Sequence, residues 1–327
     1  MQAMILHSAG QPMQLTETAR PEAQAGQVLV RIHASGVNPL DTKIAAGKAE
    51  HARMPLPAIL GIDMAGEVQS VGPGVTGFAP GDAVFGMTGG VGGVPGALAE
   101  YAAVDADLLA HAPRNLPLRE VAALPLAFIT AWEGLVDRAN VQPGQRVLVQ
   151  GGAGGVGFMA LQLALARGAQ VWATGNAAQA EIITAQGATF IDYERETVAD
   201  YVAAHTGGQG FDVIFDTVGG ASLDASFQAV RSYGGHVVSS LGWGTHALAP
   251  LSFRAATYSG VFTLLPLLSG QGRAAHGAIL REAARLAEQG QLRVRLDPAR
   301  YALGQANQAQ AAVASGQARG KVVVEIA

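Results

Sequence analysis

Apolar and polar residues follow two different patterns along this chain, and the change comes near residue 124. Before it, short apolar runs alternate with turns rich in Gly and Pro, as in the segments 27–33, 65–71 and 81–86. Short strands at such spacing are typical of a small β-barrel or a partly open β domain. The pattern therefore predicts a β domain over residues 1–123.

From Leu124 onward, apolar runs of strand length alternate with longer stretches of helical periodicity. The predicted strands are 147–150, 171–174, 189–192, 211–216 and 236–240, and the predicted helices are 156–167, 177–186, 197–205 and 222–232. Strand–helix repeats of this length predict a parallel sheet covered by helices on both faces. We assign this doubly wound α/β domain to residues 124–264.

In the last part of the chain, residues 265–327, the regular alternation of strands and helices ends. We predict an amphipathic helix over 278–289, a second helix near 305–315 and a closing strand over 321–326. The simplest arrangement inserts the α/β domain into the β domain, with this C-terminal part completing the latter.

Composition narrows the class of protein. Hydrophobic residues make up 49% and charged residues 14% of the 327 residues, with a net charge of −4 and no cysteine. A chain without cysteine has no disulfide, thiolate zinc site, iron–sulfur cluster or cysteine nucleophile. No basic run indicates a nucleic-acid partner, and no long apolar stretch or signal peptide indicates a membrane. We expect a cytoplasmic protein.

A glycine-rich segment follows the first strand of the α/β domain. It matches G-x-G-x-x-G, with a strand before it, a helix after it and a second strand at βαβ spacing. Small residues let backbone N–H groups approach a pyrophosphate at the positive end of the helix. The predicted dinucleotide-binding residues are Gly152, Ala153, Gly154, Gly155, Val156 and Gly157.

The end of the second strand indicates which dinucleotide is bound. Sites that prefer NAD carry Asp or Glu there, but this strand ends in VWATGNAAQA, and the first acid after Gly157 is Glu181. Thr174, Gly175 and Asn176 could donate hydrogen bonds to a 2′-phosphate instead. The segment holds no Lys or Arg that could pair with a 2′-phosphate. The preference for NADP(H) over NAD therefore rests on the missing acid alone.

Several separate segments together resemble one known family. They are ASGVNPLDTK (34–43), LPAILGIDMAGEVQSVGPGV (56–75), GDAVFG (81–86), ALPLAFITAWEGL (123–135), QGGAGGVGFMALQLA (150–164), FDVIFDTVGG (211–220) and ARGKVVVEI (318–326). In this order the chain resembles the medium-chain dehydrogenase/reductase superfamily, and within it the zinc-free quinone oxidoreductase, or zeta-crystallin-like, group. The resemblance implies a GroES-like catalytic domain, a Rossmann domain for NADP(H), and a homodimer with an interface strand within 253–265.

The resemblance also predicts a protein without zinc. Zinc-dependent members of the superfamily place Cys where this chain has Asn38, and His where it has Ile62. An isoleucine cannot ligate a metal, and an asparagine is a poor zinc ligand.

The resemblance assigns site residues as well. Asn38 and Thr130 would lie at the nicotinamide and the substrate, Asp41 would fix their segment, and Lys43 would stand where many relatives carry Tyr. Lys43 could stabilise an oxyanion or relay a proton. Local alternatives stay open, in which Asn38 stabilises the turn before Pro39, Thr130 bonds a helix carbonyl, and Lys43 is a solvated loop lysine.

The resemblance places further residues around the coenzyme. Tyr193 and Arg319 would bind the 2′-phosphate, and Ser240, Leu241, Gly242 and Val261–Thr263, with Thr263 foremost, would lie near the nicotinamide.

These expectations define three candidate functions. Without a metal, hydride transfer from NADPH needs an electrophilic acceptor, so the first reading is reduction of a quinone or similar small carbonyl compound. The second is reduction of the C=C bond of an enone or enoyl thioester, although thioesters favour a basic entrance and the sequence shows no such cluster. The third is NADPH binding without catalysis, as in a sensor or a crystallin.

Overall fold

The computed structural model describes residues 1–326, which form two compact units. One unit comprises residues 1–129 together with the chain from 264 onward, and the other comprises residues 130–263. The second unit is therefore inserted into the chain of the first.

The strands are numbered in chain order. They are β1 (Gln2–Leu6), β2 (Gln14–Glu17), β3 (Gln27–Val37), β4 (Ala58–Ile59), β5 (Asp63–Val71), β6 (Ala83–Met87), β7 (Tyr101–Asp105), β8 (Leu109–His111), β9 (Arg146–Gln150), β10 (Gln170–Gly175), β11 (Thr189–Asp192), β12 (Val213–Asp216), β13 (His236–Ser239), β14 (Thr257–Gly260), β15 (Tyr301–Ala302) and β16 (Val322–Glu325).

The α-helices are α1 (Pro39–Ala45), α2 (Leu118–Val121), α3 (Pro125–Trp132), α4 (Gly155–Ala166), α5 (Ala180–Thr184), α6 (Val198–Thr206), α7 (Ala221–Ala229), α8 (Ala249–Ser252), α9 (Leu265–Ser269), α10 (Arg273–Glu288) and α11 (Ala306–Ala314). A π-helical turn covers Glu133–Arg138, and 3₁₀ turns cover Glu50–Ala52, Ala106–Leu108, Ala177–Gln179 and Leu303–Gln305. Within residues 1–326, every helix is too short or too polar to cross a bilayer.

The first unit is built around β3, which is long enough to pair with three strands. It pairs antiparallel with β5, β7 and the C-terminal β16, in a sheet whose main order is β15-β16-β3-β5-β6-β8. Val322 lies opposite Val37, and Asp63 lies opposite Gly36. This register brings the ends of β3, β5 and β16 to one place, where α1 begins.

The second unit holds a six-stranded parallel sheet of order β11-β10-β9-β12-β13-β14. Its central strands are buried over almost their whole length, as in VIFD of β12, because helices cover both faces. Strand order reverses between β9 and β12, the switch point at which such sheets bind ligands. The predicted class, a Rossmann sheet inserted into a GroES-like β domain, is confirmed.

Three predicted helix boundaries differ from the structure. The stretch 177–186 is a 3₁₀ turn followed by the short α5, and the last long helix begins at Arg273 instead of residue 278. The helix predicted to reach residue 232 ends at Ala229, because Val230 turns extended and forms a bridge with Phe211.

Strand β14 forms one edge of the parallel sheet. Close to it in the chain, Phe253 is 86% exposed, and Tyr258 on the strand itself is 37% exposed. Exposed aromatic side chains beside an unpaired strand edge are unusual on a monomer. Pairing of this edge with a second copy remains a prediction.

Substitution of Gly36 tests the packing of β3 against α2. A Cβ at Gly36 would lie 2.3 Å from the Ala122 carbonyl oxygen and 3.2 Å from the Asp63 Cβ. We expect Gly36→Ala to lower the free energy of unfolding by about 2–4 kcal/mol, measured by urea denaturation. Gly260→Ala, with open space around its Cβ, is the control and should change stability by less than about 0.5 kcal/mol. Equal stability of the two variants would contradict the packing argument.

Candidate functional site

The glycine-rich turn between β9 and α4 is tightly packed within the second unit. Gly151 has a left-handed φ of 75°, and a Cβ at Gly157 would lie 2.1 Å from the Gly151 carbonyl oxygen. A Cβ at Gly152 would lie 2.5 Å from the Ala173 Cβ. These glycines allow the turn to approach α4 and β10 more closely than any side chain permits.

The start of α4 offers unpaired backbone donors. Its first α-helical hydrogen bond runs from the Phe158 N–H to the Gly154 carbonyl at 2.8 Å, so the N–H groups of Gly155, Val156 and Gly157 have no intrahelical acceptor. Ala153 and Gly154 precede them, and a Cβ at Gly154 would meet only one backbone oxygen, at 3.3 Å. Small residues before free N–H groups fit the pyrophosphate of a dinucleotide.

Thr174 holds this turn in place. Its hydroxyl donates to Gln150 Oε1 at 2.8 Å and accepts the Gly151 N–H at 3.0 Å, and its side chain is buried. The single hydroxyl proton of Thr174 is therefore already donated to Gln150. Thr174 links β9, the turn and β10, and the predicted 2′-phosphate contacts of Thr174 and of its neighbours Gly175 and Asn176 stay predictions.

Those neighbours lie at the carboxyl end of the sheet. Gly175 stands opposite Asp192 in the register of β10 and β11, and Tyr193, the residue after Asp192, is 57% exposed. Asn176 has a buried side-chain oxygen that makes no hydrogen bond within the described residues. Asp192 is buried and accepts the Glu194 N–H at 3.1 Å, so this carboxylate stabilises its own turn.

Sequence reasoning missed Asp216, which organises the loops after β12 and β13. Its buried carboxylate accepts hydrogen bonds from the Gly219 N–H at 3.0 Å, the Ser222 hydroxyl at 3.0 Å and the Ser239 hydroxyl at 2.7 Å. Ser239 in turn accepts the Leu241 N–H at 3.0 Å. The sequence signal that could have identified Asp216 is an acid directly after the apolar run VIF.

Asp216 thereby fixes the segment predicted to lie near the nicotinamide. The Ser240 N–H donates to the Asp216 carbonyl at 3.1 Å. A Cβ at Gly242 would lie 2.2 Å from the Tyr258 hydroxyl, so Gly242 lets this loop cross β14 closely. Ser240, Leu241 and Gly242 thus form one constrained turn at the end of β13.

Thr130 and Thr263 also meet in the second unit. Their hydroxyl oxygens are 3.0 Å apart, and Thr263 donates to Glu133 Oε2 at 3.3 Å. Both threonines are buried. The structure brings together two residues that the sequence placed near the nicotinamide and adds Glu133, which the sequence did not suggest.

A group of buried polar side chains lies in the first unit, where β3, β5 and β16 end. Asn38 Nδ2 donates to Asp63 Oδ2 at 2.9 Å, and Asn38 Oδ1 accepts from Lys321 Nζ. The Asn38 N–H donates to Asp41 Oδ2 at 2.8 Å, and the Leu126 N–H donates to Asp63 Oδ1 at 2.9 Å. We call Asn38, Asp41, Asp63 and Lys321 the polar cluster, and Asp63 and Lys321 are its unpredicted members.

The polar cluster is almost closed to solvent. Asp63 is 0% and Lys321 9% exposed, and Lys321 Nζ lies 3.9 Å from Asp63 Oδ2. Burial raises the pKa of Asp41 to about 7 and that of Asp63 to about 6, while the Lys321 ammonium opposes both shifts. Burial lowers the pKa of Lys321 itself. Two carboxylates share one ammonium, which favours retention of an extra proton on Asp41.

The cluster contains Asn38, which the resemblance sets at the position of a zinc-ligating Cys in zinc-dependent members of the superfamily. The Asn38 oxygen is engaged by an ammonium group, and Ile62 is a fully buried hydrocarbon. Within residues 1–326, no group of three or more His, Cys, Asp or Glu side chains is arranged to hold a metal ion. The donors present here do not fit zinc.

Two further predicted site residues have exposed side chains. Lys43 is exposed on α1, and Arg319 is exposed and uses its backbone N–H to contact Asp297 Oδ2 at 2.7 Å. Neither side chain makes an ion pair within the described part of the chain. Their predicted roles at the substrate and the 2′-phosphate stay predictions.

Removal of the buried ammonium tests the polar cluster. Lys321→Met leaves the Asp63 carboxylate buried without its cation, so we expect a loss of about 3–5 kcal/mol in unfolding free energy. Asp63→Asn in the Lys321→Met background should recover much of that loss, because the uncompensated charge is gone. Guanidinium denaturation of wild type, both single variants and the double variant measures the coupling. Additive losses would contradict direct charge pairing.

Asp41 should make stability depend on pH. Its pKa of about 7 in the folded protein exceeds the ordinary value of 3.8, so the folded state holds more protons between those values. The associated stability is present below pH 4 and is lost as the pH rises towards 7. Asp41→Asn should remove roughly 2–4 kcal/mol of this change, measured by urea denaturation across that range. Parallel curves for wild type and variant would contradict this assignment.

Comparison with known proteins places the chain in a family. Residues 24–114 match the family described as alcohol dehydrogenase GroES-like domain, and residues 186–324 match the one described as zinc-binding dehydrogenase. The solved structure of an alcohol dehydrogenase superfamily protein from Novosphingobium aromaticivorans superposes with a TM-score of 0.98 at 56% identity, covering 100% of this chain and 99% of that one.

Two curated relatives are similar in sequence. The 2-methylene-furan-3-one reductase of Solanum lycopersicum is 34% identical over 94% of this chain and 74% of its own length. The chloroplastic NADPH-dependent alkenal/one oxidoreductase of Arabidopsis thaliana is 37% identical over 72% of this chain and 59% of its own length. By both family matches, these two relatives and the shared fold, this chain belongs to the medium-chain dehydrogenase/reductase superfamily of oxidoreductases.

Proposed function

We propose that this protein uses NADPH to reduce conjugated carbonyl compounds without a metal ion, with the C=C bond of enones as the first acceptor class. The observation that carries the proposal is the polar cluster. It includes Asn38, which the resemblance sets at the position of a zinc ligand, and among the described residues no group of three or more His, Cys, Asp or Glu side chains is arranged to hold a metal ion.

The second unit supplies a coenzyme site with the required chemistry. The N–H groups at the start of α4 can bind the pyrophosphate, and Thr174 and Gln150 hold the turn rigid. Bound NADPH would supply the hydride. The end of β10 lacks the acid that repels a 2′-phosphate, and Asp192 on the next strand is occupied by its own turn, which supports NADPH over NADH.

The absence of a fitting metal site restricts the acceptor. Hydride addition to an isolated carbonyl leaves the charge localised on one alkoxide oxygen, which needs strong polarisation to be stabilised. Addition to the β-carbon of a conjugated carbonyl leaves an enolate, whose charge is delocalised over the α-carbon and the oxygen. The acceptor then needs one proton to complete the reduction, and Lys43, exposed on α1, remains the candidate for contact with the oxyanion. The names of the tomato and Arabidopsis relatives, which describe reductases of such conjugated ketones and aldehydes, support this class.

Quinones form the second acceptor class. A quinone is a cyclic conjugated dicarbonyl and takes up hydride without a metal for the same electronic reason. The resemblance of the segments 34–43 and 56–75 to the zeta-crystallin-like group supports this alternative.

Coenzyme oxidation with a panel of acceptors tests the proposal. Purified protein is assayed with NADPH and NADH against an enone, a quinone and a simple aldehyde, each with EDTA or with added zinc. We expect NADPH-dependent conversion of the enone to the saturated ketone, unaffected by EDTA, and little turnover of the aldehyde. A separate NADPH titration by fluorescence reports binding without catalysis.

Two results would overturn the proposal. Turnover of the aldehyde alone, dependent on zinc, would restore a metal-dependent dehydrogenase. NADPH binding without turnover of any acceptor would favour a non-catalytic binding protein. Turnover of quinones but not enones would transfer the proposal to the second acceptor class.

A further inference from the structure

The first unit contains a cavity of about 550 Å³ beside α1. One wall comes from the end of α1 and the following loop, including Ile44 and Ala49, and another comes from Met54 and Leu56. Gly92 closes a further side, where its N–H donates to the Ala52 carbonyl at 2.8 Å. The cavity is mainly apolar and large enough for part of a small organic molecule.

The rim of this cavity carries more cations than acids. The 327 residues contain only three lysines, Lys43, Lys48 and Lys321, and all three lie on or against α1 or its following loop. Lys48 sits between the lining residues Gly47 and Ala49, and both Arg53 and the acid Glu50 line the cavity itself. The segment 43–53 carries three cations against one acid, Glu50, in a protein of net charge −4.

The two rim cations, Lys48 and Arg53, are unpaired. Both are exposed, and neither forms an ion pair with any described residue. Other arginines of the same unit are neutralised, such as Arg300, whose guanidinium contacts both oxygens of Glu325. The sequence alone showed no basic entrance, because the three cations are separated by apolar residues that turn into the cavity wall.

The backbone holds Arg53 in a fixed and strained position. Its φ is 48°, in the left-handed region that costs a residue with a side chain about 1 kcal/mol or more. The Arg53 N–H donates to the Glu50 carbonyl at 3.0 Å, and the Lys48 N–H donates to the Lys43 carbonyl at 2.8 Å. The loop therefore presents its cations from a constrained turn instead of a free segment.

We propose that this cavity binds the distal part of the acceptor and that Lys48 and Arg53 select acceptors carrying a negatively charged group. The inference rests on the proposed reduction of conjugated carbonyl compounds and names the substrate class of that site. The shared chemistry is an anionic oxygen group, which is either a carboxylate on the acceptor itself or a phosphate of a thioester carrier. A guanidinium binds both through paired N–H donors.

The expected selectivity is moderate, because the rim is open to water. One exposed ion pair changes an equilibrium by about threefold to fivefold, and salt weakens it. Lys48 and Arg53 together, opposed by Glu50, should prefer an anionic acceptor over its neutral counterpart by roughly threefold to fivefold at low ionic strength.

A matched pair of acceptors tests the proposal. One is a linear methyl enone ending in a carboxylate, and the other is its methyl ester; a coenzyme A enoyl thioester forms the third arm. kcat/KM is measured at low and high salt for wild type, for Arg53→Asn, which keeps a residue suited to a left-handed φ, and for the double variant with Lys48→Gln. The control variant is Arg281→Gln, which also removes one positive charge. Arg281 is an exposed arginine on α10 without an ion pair in the described chain.

The proposal expects a clear pattern of rates. Wild type and Arg281→Gln should prefer the carboxylate over the ester by roughly threefold to fivefold, and the double variant should lose this preference. A preference for the thioester alone, lost in the same variant, identifies phosphate as the anion. An unchanged preference in the double variant, or an equal fall on acid and ester, would overturn the proposal.

A binding measurement separates this inference from the proposed function. The saturated keto acid and its methyl ester are titrated calorimetrically against wild type and the double variant in the presence of NADP⁺. Tighter binding of the acid to wild type, lost in the double variant, supports the anion site even if no acceptor turns over. Equal binding of acid and ester to wild type would overturn it even in an active reductase.

Discussion

The pairing of one buried ammonium with two buried carboxylates governs the structure of the first unit. Lys321 and Asn38 are 283 residues apart in the chain and meet because β16 lies antiparallel to β3. A charge buried without its partner is strongly destabilising, so the register that delivers Lys321 to Asp63 is specified by more than apolar packing. The start of α1, and with it the position of Lys43, follows from this contact.

Buried polar side chains also hold the second unit together, through both neutral and charged hydrogen bonds. Asp216 gathers the loops after β12 and β13, and Thr174 ties the glycine turn to β10. Each is a buried polar side chain at the carboxyl end of a parallel strand. Such residues fix loops whose outer surfaces stay available to a ligand, because the bonds that hold the loops lie beneath them.

Much of the fold could be read from the sequence, because the strand–helix alternation after Leu124 has a strong period and clear turns. The glycine turn was found for the same reason, since its pattern is local. Asp63 and Lys321 stood inside segments recognised by resemblance, yet their contact depends on pairing between distant strands. The bond from Thr174 to Gln150 could not be predicted either, because a hydroxyl gives no sign in the sequence of which neighbour receives its proton.

The chain order has a consequence for how the molecule is made. The second unit is one continuous stretch, whereas the first needs β16, the last strand described, to supply Lys321. On a ribosome, residues 130–263 can therefore fold while Asp63 still lacks its cation. Until β16 is synthesised, part of the β3 edge has no partner strand, and the carboxylates of Asp41 and Asp63 stay hydrated. The arrival of β16 pairs that edge and buries both carboxylates.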